Sequence, residues 1–204
     1  METKSKWIQF EGYKTGINIT QSIDCRIKIL TNSKVELYST QLEALGFDPL
    51  PLYHEPPESP YSNPELAKEY PLLCTTGKSE VYRHSGGRQI PSLRGLHQDP
   101  VVIIHPDTAR KNGIAQGDWI FIETKRGKIK QKANVSDVVD PRIVVADHAW
   151  WFPERGEKDL FGLKDANYNV LTNDQPPFNK EVGSFTIRGI ACKVSKETSQ
   201  KGVE

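Results

Sequence analysis

The chain has 204 residues, with Lys+Arg 27 against Asp+Glu 26 and a formal charge of +1. That suffices for one sizeable core but supplies no global field to draw in nucleic acid or an anionic membrane. Cys25, Cys74 and Cys192 are odd in number and far apart, which argues against a disulfide framework or a CxxC metal knuckle and for a reducing compartment. No apolar run approaches the roughly 20 residues of a membrane span and the polar Met1 to Lys6 is no signal peptide, so a cytoplasmic chain without membrane insertion is expected.

In chain order, Ile23, Cys25, Ile27 and Ile29, then Val35, Leu37 and Tyr38, fit two strands around Thr31-Asn32-Ser33. Thr40 to Ala44 then predicts a short helix closed by Gly46. Asp48 to Tyr70 carries Pro49, Pro51, Pro56, Pro57, Pro60 and Pro64, which fix φ and remove amide donors. Regular structure is not expected there, and residues 48–70 read as a semi-rigid linker between residues 1–47 and a domain at 71–204.

Pro71-Leu72-Leu73-Cys74-Thr75-Thr76-Gly77-Lys78 is a short apolar strand emptying into a polar loop. Val101 to Ile104 predicts a buried strand, and Pro106-Asp107 opens a helix stopped at Asn112-Gly113. Trp119 to Thr124, buried on both faces at its start, turns through Lys125-Arg126-Gly127 into a second strand, a hairpin. There Ile129, Gln131, Ala133 and Val135 share one face, while Lys128, Lys130 and Lys132 line the other, expected to be solvated. Asp140-Pro141 turns into the strand Ile143 to Val145. Phe185 to Val194 supplies the last strand, and its apolar parity changes across Arg188-Gly189, suggesting a bulge. Short strands without a βαβ rhythm predict a mainly β closed barrel.

The loop from Thr75 to Arg88 offers hydroxyls, the Gly77 backbone, the cations Lys78 and Arg88 and the carboxylate Glu80. Such groups suit a pyrophosphate joined to a hydrogen-bonding heterocycle, although GxxxxGK[ST] is missing. His84 and His148 lack a further ligand at metal spacing, so no metal ligand is predicted.

Three ordered segments, Pro71 to Arg88, His148-Ala149-Trp150-Trp151-Phe152-Pro153-Glu154 and Asp165 to Thr172, together resemble the C-terminal dinucleotide-binding domain of the molybdopterin (DMSO reductase-type) oxidoreductases. The resemblance covers roughly residues 7 to 195, with residues 1–47 similar to the tail of a preceding oxidoreductase domain. It implies a six-stranded double-psi barrel with short helices that holds one molybdopterin guanine dinucleotide, the molybdenum or tungsten being held jointly with other domains. By position it implies cofactor contacts at Thr76, Gly77, Lys78, Glu80, Tyr82, His84, Ser85 and Arg88 in the first loop and at His148, Asn167, Asn169 and Lys180 further on. Of Trp150 and Trp151, one ring is expected in the core and one toward the ligand. The implied partners are the remaining domains or the catalytic subunit of an oxidoreductase, and the chain alone is expected to be non-catalytic: a subunit, split gene product or truncated piece. A cofactor-free barrel serving as a protein-binding adaptor and a non-functional remnant of a split gene stand as alternatives, since one fold hosts many functions.

Overall fold

A computed structural model describes residues 9–10, 13–14, 38–50, 52–176, 178–180 and 183–197. The chain divides into two compact units, Met1–Leu52 and Tyr53–Glu204. In the first, β1 (Gln9–Phe10) pairs antiparallel with β2 (Tyr13–Lys14). The strands expected between Ile23 and Leu37 lie outside the described residues. Helix α1 (Thr40–Ala44) forms as expected: Ser39 Oγ accepts from Leu42 N at 3.3 Å, and Gly46 follows at φ +78°.

The second unit opens with a correction. Within the proline-rich stretch, α2 (Pro64–Glu69) is regular, because Pro64 sits in the first turn, where no amide donor is needed, and Asn63 caps Leu66 N at 3.0 Å. Six strands then close into a barrel: β3 (Leu72–Gly77), β4 (Val101–Ile104), β5 (Trp119–Glu123), β6 (Lys128–Val135), β7 (Ile143–Asp147) and β8 (Ile190–Lys196). Their order is β3-β7-β4-β6-β5-β8, with β3–β7 and β4–β6 parallel and every other neighbouring pair antiparallel. Closure leaves the barrel itself without a free sheet edge. Helix α3 (Pro91–Leu96) lies between β3 and β4, α4 (Pro106–Lys111) follows β4, and α5 (Leu163–Ala166) lies between β7 and β8.

Alternation along the strands fills the interior. Val102, Ile104, Ile120, Ile122, Ile129, Val144, Cys74 and Cys192 are buried, each large aliphatic contributing about 1.5–3 kcal/mol of burial. On β6 the expected face goes inside, and the lysines stay out: Lys130 pairs with Glu197 and Lys132 with Asp99. Two strand expectations change. Trp119 and Phe121 are only half-buried, because they alternate with the buried Ile120 and Ile122 on the outward face, where the ammonium groups of Lys130 and Lys128 rest on their rings, so β5 buries one face, not two. The last strand begins at Ile190 and not at Phe185. Gly189 at φ +68° turns the chain just before it, and Phe185 pairs with Phe178 in a separate bridge, so the parity change marks the strand's start.

Candidate functional site

The parallel pairing of β3 with β7 sets Thr76 beside Ala146 and Gly77 beside Asp147, so the loops that leave the two strands emerge side by side. His148, the first residue beyond β7, joins them: its Nδ1 lies 3.1 Å from Gly77 O and its Nε2 3.3 Å from Nδ1 of His84. Arg88 ties the same loops through two nitrogens, donating to His84 O at 2.8 Å and to His148 O at 3.3 Å. Trp151 Nε1 adds a bond to Ser85 O at 2.6 Å. His84, Ala149, Leu160 and Phe161 all hold positive φ, between 47° and 55°, which side chains with a Cβ rarely adopt. Backbone strain of this kind persists where surrounding bonds over-determine the conformation, as at ligand-holding loops.

Under the two loops lies an aromatic cluster. Trp150 is fully buried, with Tyr82 edge-on at 5.7 Å and His97 tilted against it at 5.3 Å. The Arg88 guanidinium stacks 4.6 Å from the Tyr82 ring and 4.7 Å from Trp150, and Arg94 stacks 5.3 Å from Trp150. Arg88 is 3% exposed, and its burial pulls its pKa below the ordinary guanidinium value, partly opposed by the nearby Asp147 charge. Among the described residues, Arg88 Nε, Arg94 Nη1 and Trp150 Nε1 are buried donors without an acceptor. The unmet demand in this region is therefore for acceptor groups.

Asp147 anchors the arrangement to the barrel. Its backbone exchanges two bonds with the buried Gln131 side chain, Asp147 N to Oε1 at 3.0 Å and Nε2 to Asp147 O at 2.9 Å. Its Oδ2 accepts from Val101 N at 3.0 Å and lies 2.8 Å from His97 Nε2. On the other side of the imidazole, Nδ1 is 3.1 Å from Ser79 Oγ. A chain of polar contacts thus runs from the barrel interior to the loop carrying Lys78.

Of the residues expected at a ligand site, Gly77, Tyr82, His84, Ser85, Arg88 and His148 come together here, and Asn167 joins them by donating from Nδ2 to Trp150 O at 3.0 Å. Thr76 is half-buried on β3. Lys78 and Glu80 are exposed, and their charged ends meet no described residue. Tyr82 is buried and its hydroxyl donates to His97 O at 2.5 Å, so it supports the loop from beneath. Asn169 is exposed, its backbone N donating to Asn167 Oδ1 at 3.1 Å, and Lys180 is exposed without a bond to a described residue. Trp150 points in and Trp151 toward the loop. Sequence reasoning missed Ser79, His97, Arg94 and Asp147. Asp147 alone carried a legible signal, an acidic residue ending an apolar strand directly before His148.

Residues 72–183 match the family described as "Molydopterin dinucleotide binding domain". The chain is 37% identical over 163 residues to acetylene hydratase of Syntrophotalea acetylenica, covering 78% of this chain and 22% of that protein. To dopamine dehydroxylase of Eggerthella lenta it is 38% identical over 173 residues, 82% of this chain and 17% of the relative. The solved structure of acetylene hydratase from Pelobacter acetylenicus superposes with a TM-score of 0.72 at 37% identity, covering 81% of this chain and 24% of that one. The chain thus spans about a fifth of the length of these relatives. Among the described residues no helix is long and apolar enough to cross a membrane.

Proposed function

This chain belongs to the molybdopterin dinucleotide-binding domain family, and from that membership we propose that the two loops beyond β3 and β7 hold and orient one molybdopterin guanine dinucleotide. The observation that carries this reading is the double tie of His148 and Arg88, which brings Gly77, His84 and His148 to one place. The donor set fits such a group. Lys78 presents an ammonium that is unpaired among the described residues, beside Thr76 and Ser79, and cations with hydroxyls suit a pyrophosphate. Glu80 is an exposed acceptor that suits a guanine amino group.

When bound, the pterin supplies the ligand through which molybdenum or tungsten carries out oxidation–reduction. This chain's part is positional. Gly77 O and His84 set the His148 imidazole, Arg88 locks both loops, and the Trp150 cluster below excludes water from the loop bases. Substrate chemistry belongs to the remaining domains or catalytic subunit of a larger oxidoreductase, in keeping with relatives of which this chain spans about a fifth. A cytoplasmic site of action accords with Cys74 and Cys192 remaining free thiols.

Calorimetric titration of the full chain with guanosine diphosphate and with released molybdopterin guanine dinucleotide tests the reading. Saturable binding is expected, weakened about tenfold by Lys78→Ala through loss of one charge-assisted contact, with no change in melting temperature. No binding by the chain, either alone or assembled with the remaining domains, would falsify it.

A further inference from the structure

Building on the reading that the loop after β3 holds a diphosphate, we propose that Ser79, His97 and Asp147 form a hydrogen-bond polarity switch. The protonation state of His97 decides whether the Ser79 hydroxyl presents an acceptor or a donor to the ligand.

The atoms assign the proton positions. Asp147 Oδ2 accepts the backbone N–H of Val101 at 3.0 Å, and His97 Nε2 lies 2.8 Å from that same oxygen. A carboxylate oxygen can only accept, so His97 Nε2 must carry the hydrogen between them. In neutral His97 the hydrogen on Nε2 leaves Nδ1 as a bare lone pair, and Ser79 Oγ at 3.1 Å must donate to it. Ser79 Oγ also accepts from Val81 N at 3.2 Å. Its only proton is then turned inward, and what remains for a ligand is a lone pair.

Protonation of His97 reverses this. Nδ1–H now donates to Ser79 Oγ, and with Val81 N–H still in place both lone pairs are engaged. The hydroxyl proton is released and becomes the one group Ser79 can offer outward. For an anionic diphosphate beside Lys78, the first state presents a mismatched acceptor and the second a matched donor.

The surroundings hold the imidazole in place in either state. Facing it are Asp147 from the end of β7, Ser79 and Tyr82 from the loop, and Trp150 from the loop after β7, with the Tyr82 ring at 5.6 Å and the Trp150 ring at 5.3 Å. The cations Arg88 and Arg94 sit against the Trp150 ring at 4.7 and 5.3 Å. His97 itself caps α3, its backbone N donating to Leu93 O, and its carbonyl accepts from the Tyr82 hydroxyl. The ring is therefore fixed while its proton count changes. Ser79 is the ligand contact here, and His97 is a positioning residue that acts through it.

Two measurements on the full chain decide the matter. The first is nitrogen NMR of the ¹⁵N-histidine-labelled protein without ligand. The expected neutral form of His97 carries hydrogen on Nε2, and finding it on Nδ1 overturns the switch whatever the loop binds. The second is titration with guanosine diphosphate from about pH 5.5 to about pH 8.5, the range over which imidazoles change charge, for wild type and Ser79→Ala. The dissociation constant of Ser79→Ala divided by that of wild type should lie at or below one while His97 is neutral and rise about tenfold once NMR shows it protonated. Using the ratio cancels the contributions of His84 and His148, which both proteins share. In a His97→Gln background, whose side chain does not titrate, the ratio should be flat. A ratio independent of pH in the presence of His97 overturns the switch. Failure of the wild type to bind guanosine diphosphate, both alone and assembled with the remaining domains, with the expected tautomer present, overturns the diphosphate assignment of the loop instead, so the two failures are told apart.

Discussion

Glu58, in the middle of the proline-rich stretch, is 9% exposed and forms a carboxylate–guanidinium pair with Arg126 in the turn between β5 and β6. The same carboxylate receives Ala191 N on β8 at 3.3 Å and lies 3.2 Å from Lys125 Nζ. The segment is therefore fastened to the barrel wall at a charge that water hardly reaches. Removing one partner of a buried pair leaves the other charge uncompensated, so Glu58→Ala should destabilise the chain by about 3 kcal/mol in urea unfolding. A shift within the error of the unfolding midpoint would mean that the stretch is the plain tether that its composition suggested.

The same residue shows where sequence reading stops. Val101 to Ile104 and Lys128 to Val135 were legible because a strand's burial follows from its own period-two pattern. The start of α4 was legible because Pro106 and Asp107 act within a single turn. Glu58 meeting Arg126, or Ser79 meeting His97 and Asp147, depends on strands pairing out of chain order, and no local spacing encodes that. The loop motifs were found through the resemblance, while the parts that stiffen them were not. The prolines misled because φ restriction forbids a helix interior but favours a helix start, and Pro64 lies at a start.

Gln131 is the single polar side chain on the inward face of β6, fully buried, and both of its ends are used on the Asp147 backbone. Gln131→Leu keeps the volume but leaves the Asp147 N–H and C=O without these partners. The expected cost is roughly 2–5 kcal/mol, the desolvation of two orphaned peptide groups. Guanosine diphosphate affinity should fall with it, since Asp147 directly precedes His148. An apolar substitution that is neutral in both assays would show that Asp147 is held by its strand pairing alone.

Asp118 receives Ala115 N at 2.7 Å and Lys196 Nζ at 2.7 Å, and these bonds, the lysine's first, hold its carboxyl below the ordinary carboxylate range. Asp140, bonded by the Arg142 side chain and backbone, is lowered in the same way. A carboxyl whose folded pKa lies below its unfolded value stabilises the fold above the unfolded pKa. That contribution is lost as pH falls through the folded one. Melting temperature should thus decline as pH drops below about 4, the ordinary aspartate value, and the decline should be shallower in Asp118→Asn. Equal slopes in the two proteins would remove Asp118 from the acid response.

Arg88 places different nitrogens on two carbonyls that are far apart in sequence, His84 O and His148 O, while its plane stacks on Tyr82 and Trp150. Lysine keeps the charge but has one ammonium, no fork and no plane, so Arg88→Lys cannot reproduce both ties and the stacking together. Because His84 and Ala149 hold left-handed backbone against their preference, cutting the tie should release both loops at once. Hydrogen exchange should rise in residues 83–88 and 148–151 together, and guanosine diphosphate affinity should fall about tenfold, the loss of one preorganised charge-assisted contact. The barrel strands should keep their protection, since Arg88 touches loops and the aromatic cluster and not the interior of β4 to β6. Faster exchange in one loop alone would show that the other is held by the His148–Gly77 and Trp151–Ser85 bonds, and that Arg88 is no clamp.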